Sequence, residues 1–474
     1  MRPSSSQPRW IHRALCVAIV AGSLAAPAAA QARTPVSPVG TLKQLSGKAG
    51  CVVDQSKPGK AGCTEVRALR GPAPFLGSRA VVISPDGRNL YVASSKSNAI
   101  AIFTRNASTG ALTQGPGAAG CISQGGIGGC ASGVGLIGPN SVAVSPDGAS
   151  VYATAVGSSA VTAFHRDATT GALTQDQDGS GCIADAATTG CVTGRALKGS
   201  DVVVVSPDGA NVYVGAFFGN AVATFTRNTT TGALTQPADT TGCLAAATAG
   251  CATGLALLAP EGLAISGDGA TVYVAAAESS AVDVLARNPA TGALTQAADG
   301  TGCIVNAALS GCTTGVRISG ANAVAVSPGD DDVYATSLFN NTVTSFTRTA
   351  GSGLLTQQTG TNACVIYVLA VGCSLGRAMS APEGVVVAPD GATTYSASFT
   401  SGAINVLERN ASGSLIQKRG RAGCQATSSV PGCTTARAMQ GVSSLAVSAD
   451  GRFLYGGSNK SNAVTVFKRV PASR

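Results

Sequence analysis

The strongest constraint on this chain is an internal repeat of 60 or 61 residues. Each repeat contains an S-P-D-G-like motif that opens with serine or alanine, and a tyrosine follows seven residues later every time. These positions account for seven of the eight tyrosines. The pairs are Ser84 and Tyr91, Ser145 and Tyr152, Ser206 and Tyr213, Ser266 and Tyr273, Ser327 and Tyr334, Ala388 and Tyr395, and Ser448 and Tyr455. Such self-similarity indicates one structural unit that recurs seven times.

One unit, read from Ser141, contains four short strands. S-V-A-V runs into the turn S-P-D-G, and V-Y-A-T-A-V and A-V-T-A-F-H-R-D follow as the second and third strands. The turn D-A-T-T-G then leads into A-L-T-Q. Proline and glycine suit the two special positions of a tight turn, and an Asp-to-Gly connection is typical of a hairpin. Seven such units predict an all-β, seven-bladed β-propeller of four-stranded antiparallel blades.

The composition agrees with this fold. Charged residues make up only 12% of the chain, and 61 residues are glycine. Long amphipathic helices need many charged side chains on their solvated faces, so this chain is poorly suited to them. Disorder is also disfavoured, because 45% of the residues are hydrophobic.

The two ends of the chain predict how the ring closes. The last repeat stops at Arg469, after its third strand, whereas Val39–Gln44 resembles the fourth strand T-G-A-L-T-Q. Leu42 also stands nine residues before Cys51, the interval found in every complete unit. We therefore expect this N-terminal segment to complete the last blade, which leaves no unpaired edge at the seam. Residues 39–469 would then form a single domain.

The first thirty residues are typical of a signal peptide. Arg2, Arg9 and Arg13 precede an apolar stretch, and Ala28 to Ala30 offer a small-residue cleavage site. We expect a signal peptide at 1–30, a linker at 31–38 and a tail at 470–474. The mature chain would be extracellular, periplasmic or at the cell surface, without a membrane span. Its net charge falls from +9 to +6 and no basic run is present. A monomer without a nucleic-acid partner is therefore expected.

Fourteen cysteines remain after the signal peptide, and they form seven close pairs. The pairs are Cys51 and Cys63, Cys121 and Cys130, Cys182 and Cys191, Cys243 and Cys251, Cys303 and Cys312, Cys364 and Cys373, and Cys424 and Cys433. Even numbers at regular spacing in an exported chain predict disulfides, here one inside each repeat. Zinc sites need ligands two to four residues apart, so we expect no metal and no cofactor. The cystine loops have two compatible interpretations, as local stiffening or as a binding surface.

A ring of polar residues is the best candidate for a ligand site. In a four-stranded meander the first strands begin at the channel, on the face that also holds the cystine loops, called here the cystine face. The residue five before each motif serine or alanine marks that start. These rim residues are Arg79, Asn140, Asp201, Glu261, Asn322, Glu383 and Ser443. They are either solvated groups at a channel mouth or convergent groups that bind a ligand.

Three other features are assigned mainly structural roles. His165 falls at an exposed strand position away from the cystine face. An arginine ends the third strand of every unit, which indicates an architectural contact across strands or with turn carbonyls. Asp330, Asp331 and Asp332 replace the usual turn in the fifth unit, either as a solvated acidic turn or as a calcium site.

The repeat motifs carry a family resemblance. V-A-V-S-P-D-G-A-S-V-Y-A-T at 142–154 and F-H-R-D-A-T-T-G-A-L-T-Q at 164–175 resemble the seven-bladed lactonase-like propellers. That group includes 6-phosphogluconolactonase, carboxymuconate-cyclising enzymes and YVTN-repeat surface proteins. The resemblance extends over 39–469. It implies that enzymes of the group use His, Glu and Arg around the channel mouth, whereas this rim offers Glu and Arg but no His.

Two functions follow from these observations. The first is an exported binding or interaction protein that uses the cystine face and channel mouth for a small-molecule or protein ligand. The second is a lactonase or a lactonising, carboxymuconate cyclase-like enzyme that uses Glu261, Glu383, Asp201 and Arg79. The net acidic rim disfavours an anionic ligand, and a carboxylate pair with raised pKa values would favour the enzyme.

Overall fold

The structure is a computed structural model that describes residues 38–56, 62–72, 79–427 and 430–472. The predicted signal peptide, nearly all of the linker and the last two residues of the tail lie outside this range. The described residues form strands and short 3-10 turns, without an α-helix among them. Seven sheets follow one another along the chain, and the all-β seven-bladed propeller is confirmed.

The first three strands of each blade form an antiparallel meander from the central channel outward. The first strands are Val81–Ile83, Pro139–Val144, Ser200–Val205, Pro260–Ile265, Ala321–Val326, Pro382–Val387 and Val442–Val447. The second strands are Asn89–Ser94, Ser150–Ala155, Asn211–Ala216, Thr271–Ala276, Asp332–Ser337, Thr393–Ser398 and Phe453–Ser458. The third strands are Ala99–Arg105, Ala160–Arg166, Ala221–Arg227, Ala281–Arg287, Thr342–Arg348, Ala403–Arg409 and Ala463–Arg469.

Three shorter strands complete the outside of each blade. The fourth strands are Leu112–Gln114, Leu173–Thr174, Leu234–Thr235, Leu294–Gln296, Leu355–Gln357, Leu415–Gln417 and, for blade 7, Leu42–Gln44. The fifth strands are Cys121–Gln124, Cys182–Ala184, Cys243–Ala245, Gly300–Val305, Cys364–Ile366, Cys424–Ala426 and Cys51–Asp54. The sixth strands are Ala131–Gly133, Val192–Thr193, Ala252–Thr253, Cys312–Thr314, Ser374–Leu375, Thr434–Thr435 and Thr64–Val66. The 3-10 turns are Gly47–Gly50, Ser95–Ser97, Gly117–Gly120, Ile127–Gly129, Thr240–Gly242 and Gly420–Gly423.

The blades therefore have six strands rather than the four that the sequence predicted. In blade 2 the fourth strand pairs only with the end of the third, where Leu173 lies opposite Arg166. The fifth strand covers the beginning of the same edge, where Cys182 lies opposite Thr162. A short hairpin cannot cover a seven-residue strand, and unpaired backbone groups are unfavourable, so the cystine segment satisfies the remainder. The sixth strand then pairs with the fifth in parallel.

The core lies between the blades. The seven largest clusters of buried apolar side chains among the described residues each join two neighbouring sheets. Both faces of the second strands are buried, as the pattern over Thr271–Ala276 shows. The propeller therefore has no single central core, and its stability depends on each blade packing against the next.

A buried tyrosine–arginine contact joins every pair of neighbouring blades. The Tyr273 hydroxyl of blade 4 donates to the carbonyl of Gly353 at 2.7 Å and accepts from Arg348 Nε of blade 5 at 2.8 Å. Arg348 also donates to Asp268 of blade 4 at 2.5 Å. The seven pairs are Tyr91 with Arg166, Tyr152 with Arg227, Tyr213 with Arg287, Tyr273 with Arg348, Tyr334 with Arg409, Tyr395 with Arg469, and Tyr455 with Arg105. The predicted architectural contact of the repeated arginine is thus present.

A glutamine at the end of each fourth-strand motif makes a second contact between blades. Gln114 of blade 1 accepts from the Arg67 amide at 2.8 Å and donates to the Arg67 carbonyl at 2.9 Å, on the cystine segment of blade 7. The same paired contact is made by Gln175, Gln236, Gln296, Gln357, Gln417 and Gln44. This role was not predicted from the sequence, although the glutamine recurs in all seven units.

The N-terminal segment closes the ring as predicted. Leu42–Gln44 pairs antiparallel with the last strand, with Leu42 opposite Arg469. The Gly40 carbonyl accepts from the Tyr395 hydroxyl at 2.7 Å. Gly40 has a φ of 76°, and a Cβ atom there would lie 2.3 Å from Thr393 Oγ1, so this turn needs glycine. Blade 7 is therefore assembled from both ends of the chain.

Candidate channel-mouth site

Six of the seven rim residues occupy the same irregularity of the first strand. In blade 2 the pairing with the second strand shifts between Pro139 and Ser141, which leaves Asn140 as the extra residue. Equivalent shifts occur in blades 3 to 7 at Asp201, Glu261, Asn322, Glu383 and Ser443. A β-bulge redirects a side chain from the normal alternation of the strand. Arg79 differs, because it precedes the shorter first strand of blade 1.

The redirected side chains are buried rather than solvated. Each of the six has at most 4% of its surface exposed. Neighbouring blades approach closely here, since a Cβ atom on Gly262 would lie 2.8 Å from Ala323 Cα. A Cβ atom on Gly384 would lie 2.3 Å from the Ser443 carbonyl oxygen. The glycine in each P-E-G sequence therefore lets the next blade pack against the bulge.

Two asparagines link neighbouring blades through this ring. Asn140 donates to the Asp201 carboxylate of the next blade, and the Thr154 hydroxyl donates to the Asp201 carbonyl at 2.8 Å. Asn322 donates to the Pro382 carbonyl of the next blade at 3.2 Å and accepts from Thr336 at 2.6 Å. These rim residues therefore have a structural role whether or not a ligand binds.

Glu261 and Glu383 form the chemically unusual part of the ring. Burial raises the pKa of Glu261 to about 9, and repulsion from Asp201, Glu383 and Glu278 adds to the effect. Burial also raises the pKa of Glu383 to about 8, although Lys460 opposes the shift. Glu261 Oε2 is sealed from solvent without a hydrogen-bond partner among the described residues. Both groups are consequently protonated at neutral pH and offer hydroxyl donors.

Asp201 has the same tendency. Burial raises the pKa of Asp201 well above its ordinary value, and only the hydrogen bond from Asn140 opposes this. Its Oδ2 atom is buried without a partner among the described residues. Negative charge on Asp201 or Glu383 would raise the pKa of Glu261 further, so Glu261 is coupled to both groups. The pKa shifts of the three carboxyl groups therefore have the same direction and the same main cause, burial.

Arg79 is the exposed member of the ring and lines the channel. The surrounding protein lowers the pKa of its guanidinium, but an arginine with access to channel solvent stays charged at neutral pH. Blade 1 stands across the ring from blade 4. At neutral pH the rim thus combines the cation of Arg79 with the neutral acids Glu261 and Glu383, so it is not net acidic as the formal charges predicted.

Below the rim, the side chains along the central channel are mostly aliphatic, but polar atoms supply more than half of its exposed surface. A cavity of about 430 Å³ is lined by the first strands of all seven blades. Of the rim residues, only Arg79 is part of its lining. The buried carboxyls therefore sit above the cavity, where Gly262 and Gly384 form its uppermost lining on blades 4 and 6.

The seven predicted disulfides are present, each inside its own repeat. Their Cα–Cα distances lie between 4.5 and 4.9 Å. Each fifth strand begins at or near the first cysteine of its pair. It pairs with the start of the third strand, close to the loop that joins the second and third strands, as Ala184 opposite Ala160 shows. This places the cystines on the predicted face. Disulfides of this kind persist in oxidising compartments.

The cystine face also exposes apolar side chains. A groove of about 1070 Å³ lies between blades 5, 6 and 7, beside the exposed residues Tyr367, Val368 and Leu375. Lys460 Nζ lies 4.5 Å from the centre of the Phe399 ring at the same groove. This groove was not predicted from the sequence, because neither Lys460 nor Phe399 belongs to a repeated motif.

The remaining candidates have structural contacts. His165 is exposed on the third strand of blade 2 and lies 3.0 Å from Asp176. Asp332 pairs with Arg409, and Asp330 accepts from the amides of Gly267 and Asp268 at 2.7 and 2.8 Å. The described residues contain no cluster of His, Cys, Asp and Glu suited to a metal ion. No helix in the described part of the chain is long and apolar enough to cross a membrane.

Comparisons with known proteins agree with the repeat motifs. Residues 138–305, from blade 2 into blade 4, match the family model described as lactonase, 7-bladed beta-propeller. Over those residues the chain is similar to the seven-bladed lactonase family, and the described residues form the seven blades that the family description names. No curated protein gives a significant match.

Three solved structures resemble this chain in fold, each at 17% identity. A putative 6-phosphogluconolactonase from Bacteroides uniformis has a TM-score of 0.51 and covers 78% of this chain and 88% of its own. The corresponding putative enzyme from Bacteroides fragilis has a TM-score of 0.50 and coverages of 71% and 81%. Hydrazine synthase from Kuenenia stuttgartiensis has a TM-score of 0.50 and coverages of 88% and 99%. Similarity at this level concerns the fold alone, and one fold hosts many functions.

Proposed function

We propose that this protein is an exported binding protein that holds an oxygen-rich small molecule at the channel mouth on the cystine face. The main support is the ring of protonated carboxyl groups, because Glu261 and Glu383 have pKa values of about 9 and 8. Neutral acids donate hydrogen bonds to carbonyl, ester and hydroxyl oxygens, and because Glu261 and Glu383 are almost fully buried, a ligand reaches them only when their side chains turn toward the mouth. Arg79 on blade 1 adds a positive charge at the same rim. Convergent polar groups at a channel mouth are a common form of ligand site.

Export is supported by two observations of different kinds. The N-terminal sequence has the basic, apolar and small-residue regions of a signal peptide. Seven local disulfides suit an oxidising compartment rather than a reducing one. Fractionation of cells expressing the full chain, with mass determination of the secreted form, tests this part. Retention of the intact N-terminus in the cytosol would refute it.

Lactone hydrolysis is the second candidate, and the lactonase family match favours it. A protonated Glu261 could donate a proton to the leaving oxygen while Arg79 polarises the carbonyl. Hydrolysis also needs a base that activates water, but Glu261 and Glu383 are neutral at pH 7 and burial raises the pKa of Asp201 as well. Any such activity should therefore increase above pH 8, as these groups ionise.

The two candidates predict opposite pH dependences. Calorimetric titration with D-glucitol, glucono-δ-lactone and short hydroxy acids should give the tightest binding below pH 8 and weak binding above pH 9. Glu261→Gln keeps a neutral donor, so binding should persist and lose much of its pH dependence. Glu261→Leu removes the donor and should weaken binding at least tenfold, whereas Asp147→Asn on the opposite face should leave it unchanged.

The outcomes separate the candidates. Turnover of a lactone that rises with pH and disappears in Glu261→Gln would establish the enzyme. Failure of every ligand in the panel to bind at millimolar concentration, in a protein with native circular dichroism, would refute the proposed binding site.

A further inference from the structure

The cystine loop of blade 5 differs from the other six. Residues 367–371, between the fifth strand and the second cysteine, have the sequence Y-V-L-A-V and are called here the blade-5 loop. The exposed fractions of its four large side chains are 44% for Tyr367, 68% for Val368, 70% for Leu369 and 97% for Val371. The corresponding loops of blades 1, 4 and 6 hold one large aliphatic residue each, and those of blades 2, 3 and 7 hold none.

The propeller does not use these four side chains for packing. Ala370 is the loop residue that packs against the buried cluster of this blade. The four large residues are nearly consecutive and all exposed, so they cover more than one side of the loop. Exposed apolar surface of this kind marks an interaction site with a protein or a membrane. A flat protein surface would cover only one side of the loop, whereas lipid chains surround an inserted loop, so the shape favours a membrane.

Cations stand beside the blade-5 loop. The groove at its base is lined by Arg377 and by the exposed Lys460, and no acidic residue is among the described residues that line it. The seven segments that join a sixth strand to the next first strand, on the same face, contain no Asp or Glu, whereas five of them contain Lys or Arg. Each Lys or Arg close to an anionic lipid surface strengthens attachment about fivefold.

The base of the blade-5 loop also suits a membrane surface. Tyr367 begins the loop and is partly exposed. A tyrosine has an apolar ring and a polar hydroxyl, and it is therefore enriched where lipid chains meet water. The disulfide between Cys364 and Cys373 closes the loop, so less conformational entropy is lost when the loop is held in one place.

We propose that the blade-5 loop attaches the protein to the surface of a bilayer that contains anionic lipids. Val368, Leu369 and Val371 enter the acyl-chain region, and Arg377 and Lys460 lie at the head groups. The inference goes beyond the proposed function, because the loop belongs to the outer strands of blade 5, whereas the first strands form the channel mouth. Attachment therefore does not require a ligand at the mouth.

The first test measures binding of the mature protein to sedimenting vesicles. One set contains equal parts of phosphatidylglycerol and phosphatidylcholine, and the other contains phosphatidylcholine alone. Leu369→Ser combined with Val371→Ser should weaken binding to the mixed vesicles at least tenfold, because two aliphatic side chains no longer leave water. Ile416→Ser combined with Val470→Ser is the matched control, since it changes two exposed aliphatic residues away from the cystine face and should have no effect.

A second pair of variants tests the contribution of charge. Lys460→Gln should weaken binding to the mixed vesicles about fivefold, with little change on phosphatidylcholine alone. Lys468→Gln makes the same change at an exposed position near the other end of blade 7 and should leave binding unchanged. Equal effects of the two substitutions would mean that net charge alone attracts the protein, and would overturn the site.

A third test reports insertion of the loop directly. The single tryptophan of the chain, Trp10, lies in the predicted signal peptide. Leu369→Trp therefore gives the mature protein one tryptophan, in the blade-5 loop. Its fluorescence should shift to shorter wavelength when mixed vesicles are added, and brominated acyl chains should quench it. Ile416→Trp is the control and should show neither change.

The outcomes separate a membrane from other partners. Failure to bind either set of vesicles, or an unchanged spectrum of Leu369→Trp in bound protein, would overturn the inference. A dimer that Leu369→Ser with Val371→Ser dissociates, without vesicle binding, would assign the loop to a second copy of the chain and would overturn it as well. Failure of the small-molecule panel to bind at the mouth would refute the proposed function and leave this inference standing.

Discussion

Replacement of Glu261 by glutamine should stabilise the protein at neutral pH. The folded protein holds the Glu261 proton up to a pKa of about 9, while the unfolded chain releases it near 4.5. The contribution of Glu261 to the free energy of unfolding is therefore complete below about pH 4.5. It falls as the pH rises from about 4.5 to about 9, and it is lost above about pH 9. The free energy of unfolding falls by about 1.4 kcal/mol per pH unit and per group in that window.

The magnitude at pH 7 follows from the distance between pH 7 and the unfolded pKa. At pH 7 the ionisation of Glu261 in the unfolded chain lowers the free energy of the unfolded state by about 3 kcal/mol, whereas the folded state keeps Glu261 neutral. Glutamine resembles the neutral acid in size and has a donor, but it does not ionise in the unfolded chain. Glu261→Gln should therefore raise the free energy of unfolding at pH 7 by about 2–3 kcal/mol, with little change at pH 4.5.

Urea denaturation followed by far-ultraviolet circular dichroism at pH 5, 6, 7 and 8 measures this effect. Wild-type stability should fall with pH, and the slope of Glu261→Gln should be smaller by about 1.4 kcal/mol per pH unit. Glu278→Gln is the matched control, because Glu278 is exposed and should change the slope little. An unchanged slope, or a variant less stable than wild type at pH 7, would show that Glu261 is ionised in the folded protein and would refute the reasoning.

Three further predictions concern the architecture. Tyr273→Phe should lower the free energy of unfolding by about 2–4 kcal/mol, because it leaves a buried guanidinium nitrogen and a buried carbonyl without their partner. The control Tyr367→Phe, at an exposed position, should change it by less than about 0.5 kcal/mol. Equal effects of the two substitutions would exclude the interblade contact as the cause. Deletion of Val39–Gln44 should cause aggregation or a large fall in melting temperature, since it removes a strand and exposes an edge; unchanged melting of a monomer would contradict ring closure. Replacement of Cys121 and Cys130 by serine should cost about 2.7 kcal/mol of stability in a loop of about ten residues, and loss of folding altogether would show that the bridge does more than restrict its own loop.

The repeat was enough to predict much of this architecture. Motif spacing gave the number of blades, and the match of Val39–Gln44 to the fourth strand gave the closing segment. Local cysteine spacing gave the seven disulfides. These features are local, or they repeat identically, so periodicity alone reveals them. The division of the outer edge among three short strands was not visible, because it depends on how far the third strand extends beyond its hairpin.

The rim shows the opposite case. Its residues were correctly placed at the starts of the first strands, but formal charges predicted an acidic ring. The β-bulges and the close approach of the blades at Gly262 and Gly384 bury Glu261 and Glu383, and burial keeps both neutral. Protonation depends on the dielectric surroundings that several distant repeats create together. The sequence by itself therefore determined which residues stand near the starts of the first strands, and only the tertiary structure decided their burial and their charge.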